Sequence, residues 1–491
     1  MTESSPPWST LVAELRAADL LLSAPDLAPG HRFAGLVTDS RRVEEGALFL
    51  AVPGTRTDGH DHVPEAVRRG AGAVVVARAL DCSVPVIRVR DTHRATVVLA
   101  RVWHGHPSAD MRLHAVTGTN GKTTTTSILR HLMNAAADAG VLGTLGALDG
   151  EGRVVPGTAA LTTPGPLDLQ ATLAALRDRG CRTVTMEASS HSLDQGRLDG
   201  VLFTSAVFTN LTRDHLDYHG TMDAYRAAKL RLLDLLAPTG IVVVNRDDPA
   251  WTVVAGMTRQ VPVTFGLTTG ADVGAGAPAE DATGSRFRLT GRFGSADVVL
   301  PIPGAFNVAN ALAAAAVPLA LGMPVTEVAE RLGTVPQVPG RMERIGDHPC
   351  TVIRDYAHTP DALERACGTL RSLTSGRLIV LFGCGGDRDR GKRPLMGQVV
   401  DRLADLAIVT SDNPRTEDPE RIVDDIVPAL RRIPVVRQVD RREAIAEALA
   451  MARPGDTILL AGKGHETYQI VGAVSLPFDE RAIVQELLGS R

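Results

Sequence analysis

Lysine is almost missing from this chain. Of 52 basic residues only four are lysine (Lys122, Lys229, Lys392 and Lys463), and the other 48 are arginine. Aromatics are scarce as well. The 10 Phe, 4 Tyr and 3 Trp among 491 residues are too few for base-stacking platforms, and a net charge of −4 gives no electrostatic footprint for nucleic acid. No apolar run suits a bilayer: the longest, at 311–325, is interrupted by Pro318 and is shorter than the ~20 residues a spanning helix needs. Five cysteines, at 82, 181, 350, 367 and 384, show neither paired nor zinc-type spacing, which points to a reduced, cytoplasmic protein. The opening Met-Thr-Glu-Ser-Ser-Pro-Pro has no basic n-region and no apolar h-region, which argues against secretion. Membrane, collagenous, secreted and nucleic-acid classes are set aside.

What remains is an ordinary soluble composition, 44% hydrophobic and 22% charged, in a chain long enough for about three domains. Residues 1–108 mix short apolar runs with turn signals such as Pro53-Gly54 and Asp58-Gly59. From 109 to 337 strand-like runs alternate with helical patterns, which predicts βαβ units and a mainly parallel sheet. The Gly/Ala-rich stretch 267–285 reads as a surface insertion, and Val-Pro-Gln-Val-Pro-Gly at 335–340 as a linker. Residues 338–491 repeat the strand–helix alternation and predict a second α/β sheet. No internal repeat is present.

The lysines lead to chemistry. Arginine replaces lysine almost everywhere, so the positions that keep a compact, reactive amine are candidates in their own right. Lys122 lies in Leu-His-Ala-Val-Thr-Gly-Thr-Asn-Gly-Lys-Thr-Thr-Thr (113–125), an apolar strand, a glycine turn and a helix start. Such an arrangement aims backbone N–H groups and a helix dipole at an anion, here the phosphates of ATP. Gly118 and Gly121 allow close backbone approach, Lys122 would reach the β/γ-phosphates, and the Thr123 hydroxyl would reach Mg²⁺. Val116 stands where the full phosphate-loop pattern has its first glycine.

Further along, Thr183-Val-Thr-Met-Glu187 sets a carboxylate at the carboxyl end of a predicted strand, where ligands sit in open α/β sheets. Asn210-Leu-Thr-Arg-Asp-His215 supplies an imidazole after another strand. A helix predicted over 223–237 then carries Lys229 at the border of its apolar face. A neutral lysine amine can take up CO₂ as a carbamate, in effect an extra carboxylate for a second metal; arginine cannot.

Taken together these segments resemble the Mur ligase family, whose members make bacterial peptidoglycan precursors by ATP-dependent amide-bond formation. The similar segments are Gly-Thr-Asn-Gly-Lys-Thr (118–123), Glu-Ala-Ser-Ser-His (187–191), Asn-Leu-Thr-Arg-Asp-His-Leu-Asp-Tyr-His-Gly (210–220), Ala-Ala-Lys (227–229), Phe-Asn-Val-Ala-Asn (306–310), Gly-Arg-Met-Glu (340–343) and Asp-Tyr-Ala-His-Thr-Pro (355–360). The resemblance implies three domains: an N-terminal UDP-binding α/β domain, a central phosphate-loop ATPase domain with a parallel sheet, and a C-terminal Rossmann-like domain. Within the family it is similar to the branch that adds the third peptide residue to UDP-N-acetylmuramoyl-L-alanyl-D-glutamate.

That resemblance implies two Mg²⁺ ions, with Thr123 and Glu187 on one, and His215 and carbamylated Lys229 on the other. Gly118, Thr119, Asn120, Gly121, Lys122, Thr123 and Thr124 would hold ATP phosphates, and Asn307 and Asn310 would lie on the adenine side, although they could equally be a helix N-cap pair. Arg341 and Asp355 are similar to the family's phosphate-binding arginine and ribose-binding acid. Ser40, within Thr-Asp-Ser-Arg-Arg-Val (38–43), would lie near uracil. Thr162, Thr163, Ser189, Gln195 and Arg197 would contact the muramoyl dipeptide. A cytoplasmic monomer acting on small molecules is implied.

Selection of the amine falls to the last domain. Polar motifs follow three of its predicted strands: Gly383-Cys-Gly-Gly-Asp-Arg388, Ser411-Asp-Asn-Pro-Arg415 and Gly462-Lys-Gly-His-Glu466. Arg388 and Arg415 suit a carboxylate and Glu466 a distal ammonium, with Asp412, Asn413 and Gly462 beside them. Diaminopimelate, with two carboxylates and two ammonium groups, fits. The Asp-Asn-Pro-Arg segment resembles that of diaminopimelate-adding relatives. Alternatives are the same ligase adding L-lysine, a relative adding D-alanyl-D-alanine or glutamate to folate, and a nucleotide switch that needs no amine.

Overall fold

The computed structural model describes residues 5–54, 57–158, 162–281, 283–347 and 350–489. They group into two compact units. The first comprises residues 1–117, 133–206 and 227–240, the second 118–132, 207–226 and 241–491. Among the described residues no helix is long and apolar enough to cross a membrane.

In the first unit, five short strands form one sheet in the spatial order Leu21–Ser23, Val86–Val89, Ala73–Val76, Leu48–Leu50, Leu36–Val37. Leu48 and Leu50 face one cluster while Phe49 and Ala51 face another, so this period-two strand is apolar on both sides, as a parallel strand covered on both faces requires. Strands β1 (Arg112–Thr117), β2 (Ala139–Gly143) and β3 (Thr183–Glu187) run parallel, with β3 in the middle. The register pairs Glu187 with Val116, bringing that carboxylate to the end of β3.

Helix α1 (Lys122–Met133) follows the phosphate loop in the second unit, and α2 (Met222–Leu230) follows the 209–220 segment, its residues through Arg226 counted with the second unit and those from Ala227 with the first. The helix expected to reach residue 237 stops at Leu230, passes through a tight turn at Arg231–Leu235, and gives way to a strand at Leu236–Asn245. Pro238 and Gly240 oppose a helical interior, and Val243–Asn245 pair in parallel with Val263–Phe265. The Gly/Ala-rich stretch supplies strand Val273–Ala275, which pairs antiparallel with Gly284–Gly291; Ala282, inside that stretch, lies outside the described residues. Helix α3 (Ala305–Ala320) is sheathed in apolar contacts from Val308 to Leu319.

Past the linker a six-stranded sheet holds the parallel strands β4 (Thr351–Asp355), β5 (Leu378–Phe382), β6 (Leu406–Val409) and β7 (Thr457–Ala461), with β7 between β4 and β5 and β6 outside β5. Helix α4 (Pro360–Leu373) packs on one face. Leu378, Val380 and Phe382 point into one core and Ile379 and Leu381 into the other. Each such fully buried side chain contributes about 1.5–3 kcal/mol. The parallel order carries the ends of β5, β6 and β7 to the same edge.

Candidate active site

The phosphate loop is laced to the 209–215 segment. Thr119 N donates to Asn210 O (2.7 Å), Asn120 N to Asn210 Oδ1 (2.9 Å), and Thr209 Oγ1 to Asn120 O (2.7 Å). The Thr119 hydroxyl donates to Thr212 O and accepts from the buried Tyr225 hydroxyl (3.2 Å). Nothing larger than glycine fits at two positions. A Cβ on Gly118 would lie 1.9 Å from Thr209 Oγ1, and one on Gly121 2.3 Å from Asn310 Oδ1, both at positive φ. Lys122 Nζ lies over the loop and donates to Gly118 O (2.9 Å) and Thr119 O (2.8 Å). Thr123 and Thr124 are buried in the first turn of α1.

His215 takes a left-handed conformation (φ 52°) at the start of the short helix Leu216–His219, and its ring faces Tyr225 edge-on. Beside it, Asp214 is opposed by burial, yet His215, His358 and Lys122 together hold its carboxyl below the usual range. Asp214 and Tyr225 are functional candidates the sequence reading did not single out.

A cavity of about 500 Å³ opens beside the loop, lined by Asn120, Gly121, Phe306, Ala309, Asn310 and Leu267 among others. Its volume falls in the range of small-molecule pockets. Asn310 is on its wall and donates to Asn307 Oδ1 (3.2 Å), while Asn307 Nδ2 donates to Pro303 O (2.8 Å). Gly304, not an asparagine, is the N-cap of α3. Asp248 and Arg365 also line it and went unnoticed in the sequence because they lie far apart along the chain.

Arg341 stacks over Tyr356 (4.6 Å to the ring centroid) and donates to the Thr123 hydroxyl (2.9 Å). Asp355 accepts from Met342 N, and burial pushes its carboxyl up against the opposing pull of Arg341. It therefore holds the arginine's loop in place. Asn120 Nδ2 also donates to Asp361 (2.9 Å) at the start of α4.

In the first unit, Glu187 accepts from Thr144 N (2.8 Å) and Thr144 Oγ1 (3.1 Å). Thr144 contacts Thr162, and Thr163 Oγ1 donates to Glu187 O. Ser189 caps the helix Ser190–Asp194, and Arg197 binds Gln195 Oε1 (2.7 Å) and Thr163 O (3.1 Å). Thr162, Thr163, Ser189, Gln195 and Arg197 thus gather around the end of β3. Lys229 is buried. Ser40 donates to Glu65 (2.7 Å), while its neighbours Thr38, Asp39 and Arg42 line a second cavity of about 220 Å³ with Trp103 and Asp168.

At the edge of the six-stranded sheet the three polar loops meet. Arg415, at φ 51°, donates to Gly386 O (2.8 Å), and Asn413 Nδ2 donates to Glu466 Oε2 (2.8 Å). A Cβ on Gly462 would lie 2.8 Å from an Asp412 oxygen. Arg388 is exposed on the first loop. Glu466, expected to face a substrate ammonium, already faces one of the chain's own: Lys463 Nζ lies 3.2 Å away.

For magnesium, the Thr123 hydroxyl in the second unit and, separately, the Glu187 carboxylate in the first are each hard oxygen donors of the kind Mg²⁺ takes. Among the described residues no three His, Cys, Asp or Glu side chains form a ready metal cage.

Three family profiles match: one described as "Mur ligase family, catalytic domain" over residues 32–107, "Mur ligase middle domain" over 116–318, and "Mur ligase, glutamate ligase domain" over 340–464. Proteins named UDP-N-acetylmuramoyl-L-alanyl-D-glutamate–2,6-diaminopimelate ligase are similar along nearly the whole chain. That of Gloeobacter violaceus is 44% identical over 473 residues, covering 94% of this chain and 95% of the relative. That of Geobacillus kaustophilus is 46% identical over 467 residues, covering 93% and 95%. A solved structure carrying the same ligase name superposes with a TM-score of 0.68 at 34% identity over 99% of both chains. The MurF ligase of Thermotoga maritima in complex with ADP, 20% identical, shares the fold with a TM-score of 0.65 over 93% of this chain and 97% of its own.

Proposed function

The chain belongs to the Mur ligase family and is an ATP-dependent carbon–nitrogen ligase, and from that premise we propose that it joins 2,6-diaminopimelate to UDP-N-acetylmuramoyl-L-alanyl-D-glutamate. The observation that carries the choice of amine is the meeting of Arg415, Asn413 and Glu466 at one sheet edge. Charge of both signs there suits the second amino-acid end of diaminopimelate, which lysine lacks.

The reaction runs in two steps. The γ-carboxylate of the D-glutamyl residue attacks the γ-phosphorus of ATP; the bond to the β,γ-bridging oxygen breaks, and an acyl phosphate and ADP form. The neutral diaminopimelate amine then attacks the acyl carbon, the C–O bond to phosphate breaks, and a proton leaves the nitrogen. Lys122 and the loop N–H groups balance charge on the phosphates, worth most where water is excluded. Phe306 and Leu267 would flank the nucleoside in the larger cavity. We propose metal-ligand roles for Thr123 and His215 in the second unit and for Glu187 and Lys229, as a carbamate, in the first. Mg²⁺ bound there would neutralise developing charge on the transferring phosphoryl group. Thr162, Thr163, Ser189, Gln195 and Arg197 would hold the dipeptide, and Thr38, Asp39 and Arg42, near Ser40, the UDP end. The enzyme is proposed to act as a cytoplasmic monomer.

The test is phosphate release from ATP with the UDP-linked dipeptide present, adding meso-diaminopimelate, LL-diaminopimelate, L-lysine or no amine. Release driven by a diaminopimelate isomer is expected. Preference for lysine would overturn the choice of amine, and release indifferent to every amine would favour a nucleotide switch.

A further inference from the structure

Lys463 is one of only four lysines and is the most completely enclosed group in the amine pocket, its side chain 0% exposed. Nothing in the reaction above uses it. Its Nζ lies 3.2 Å from Asn413 Oδ1, 3.2 Å from Glu466 Oε2 and 3.8 Å from Asp412 Oδ1. The rings of Tyr468 and Phe478 flank it, with centroids 5.8 and 5.9 Å away.

Two consequences follow from these distances. Asn413 Oδ1 accepts from both Lys463 and Ile470 N (2.9 Å), so the amide can only turn its Nδ2 toward Glu466. The second consequence concerns charge. Asp412 and Glu466 contribute two negative charges, and Lys463 and Arg415 two positive, so the cluster sums to zero. Burial first, and then Glu466 and Asp412, push the Tyr468 phenol up while Arg415 pulls it down, so the charges of both signs are felt at the ring that flanks Lys463. A neutral, low-dielectric cluster is complementary to a neutral zwitterion, the ammonium-plus-carboxylate end of diaminopimelate. Without Lys463 the cluster would carry −1 and would suit a bare ammonium, as at the end of lysine.

We propose that Lys463 is a specificity-determining residue, an internal counter-cation that tunes the amine pocket to a zwitterionic side-chain end and against a lone ammonium. This rests on the reading that diaminopimelate is the amine. Lys463 acts through Asn413, Glu466 and the pocket's charge, and so is a positioning residue.

The experiment compares kcat/KM for meso-diaminopimelate and L-lysine in the wild type and three variants, with KM for ATP and for the UDP-linked dipeptide as internal controls. Lys463→Met keeps the stem between the two rings and removes the charge. Its diaminopimelate-to-lysine ratio is expected to fall at least about tenfold, chiefly through KM for diaminopimelate, with both control KM values within about twofold. Lys463→Arg keeps the charge and should hold the ratio within about threefold even if it is slower. Lys463→Met combined with Asp412→Asn restores neutrality and should recover most of the ratio. Should the single Met variant fail to fold, the double variant, which buries no excess carboxylate, carries the comparison against Lys463→Arg. An unchanged ratio in Lys463→Met, a parallel loss on both amines and both controls, or a double variant that recovers nothing would each overturn the proposal. If the wild type itself uses neither diaminopimelate isomer, the underlying choice of amine fails, and the role of Lys463 falls with it.

Discussion

The guanidinium of Arg341 donates to the hydroxyl of Thr123 across 2.9 Å, joining two residues 218 positions apart in the chain. Thr123 opens the phosphate-loop helix, and Arg341 sits just past the linker, stacked on Tyr356. One contact thus ties the module after the linker to the place where phosphate would bind.

Lysine cannot reproduce the fork or the stacking of that arginine. Arg341→Lys is therefore expected to raise KM for ATP about tenfold, the equivalent of ~1.4 kcal/mol, while KM for the amine stays within about twofold. Steady-state kinetics with each substrate varied in turn decides it; equal changes in both KM values would count against a nucleotide role.

Lys229 is buried on α2, and the proposed role requires a carbamate. Guanidinium forms no stable carbamate. On that proposal Lys229→Arg should lower kcat on the order of a thousandfold, because the carbamate would supply several kcal/mol of charge stabilisation at the phosphoryl group through the metal it holds. Full activity in this variant would refute the carbamate.

Gly143 ends β2 directly beneath the Glu187 carboxylate. A Cβ there would stand 2.3 Å from Glu187 Oε1, so Gly143→Ala must push the carboxylate off its two bonds to Thr144. Misplacing a catalytic group by about 1 Å costs roughly a hundredfold. The expected result is that loss in kcat with an unchanged thermal midpoint; retention of wild-type kcat would remove Glu187 from the machinery.

His114 is wholly buried in β1, its Nδ1 paired with Ser205 Oγ (2.8 Å). Burial first, and then Arg112, push its pKa down from 6.5 to about 4. The unfolded chain therefore takes up this proton before the folded one does. The stability His114 confers is complete above about pH 6.5 and drains away as pH falls toward about 4, a loss approaching about 3 kcal/mol. Thermal unfolding followed from pH 7.5 to 4.5 should show a steeper decline for the wild type than for His114→Asn. Parallel curves would show that the residue does not govern acid stability.

The amino-acid sequence alone determined the features whose physics is local. A strand, a glycine turn and Lys122-Thr123 at a helix start form an anion site because the N–H groups and the dipole belong to consecutive residues. Strands such as 378–382 were legible because apolar residues filling both alternations leave few options but a parallel strand covered on both faces. Lysine scarcity pointed to Lys463 before any contact was known. The helical pattern over 223–237 does not reveal the end of α2 at Leu230, because the strand that follows is fixed by parallel pairing of Val243–Asn245 with Val263–Phe265, distant in the chain.

What only the tertiary structure decided are the partnerships between distant residues. Thr144 on Glu187, Asp361 on Asn120, Arg341 on Thr123 and Ser40 turned to Glu65 carry no shared local signal, because which loops share an edge follows from strand order. Glu466 shows the difference most sharply. Its charge and its place after β7 were plain in the sequence, but that its carboxylate is already engaged by Lys463 and Asn413 depends on β7 lying beside β5, with β6 next in line, so that their loops close on one another.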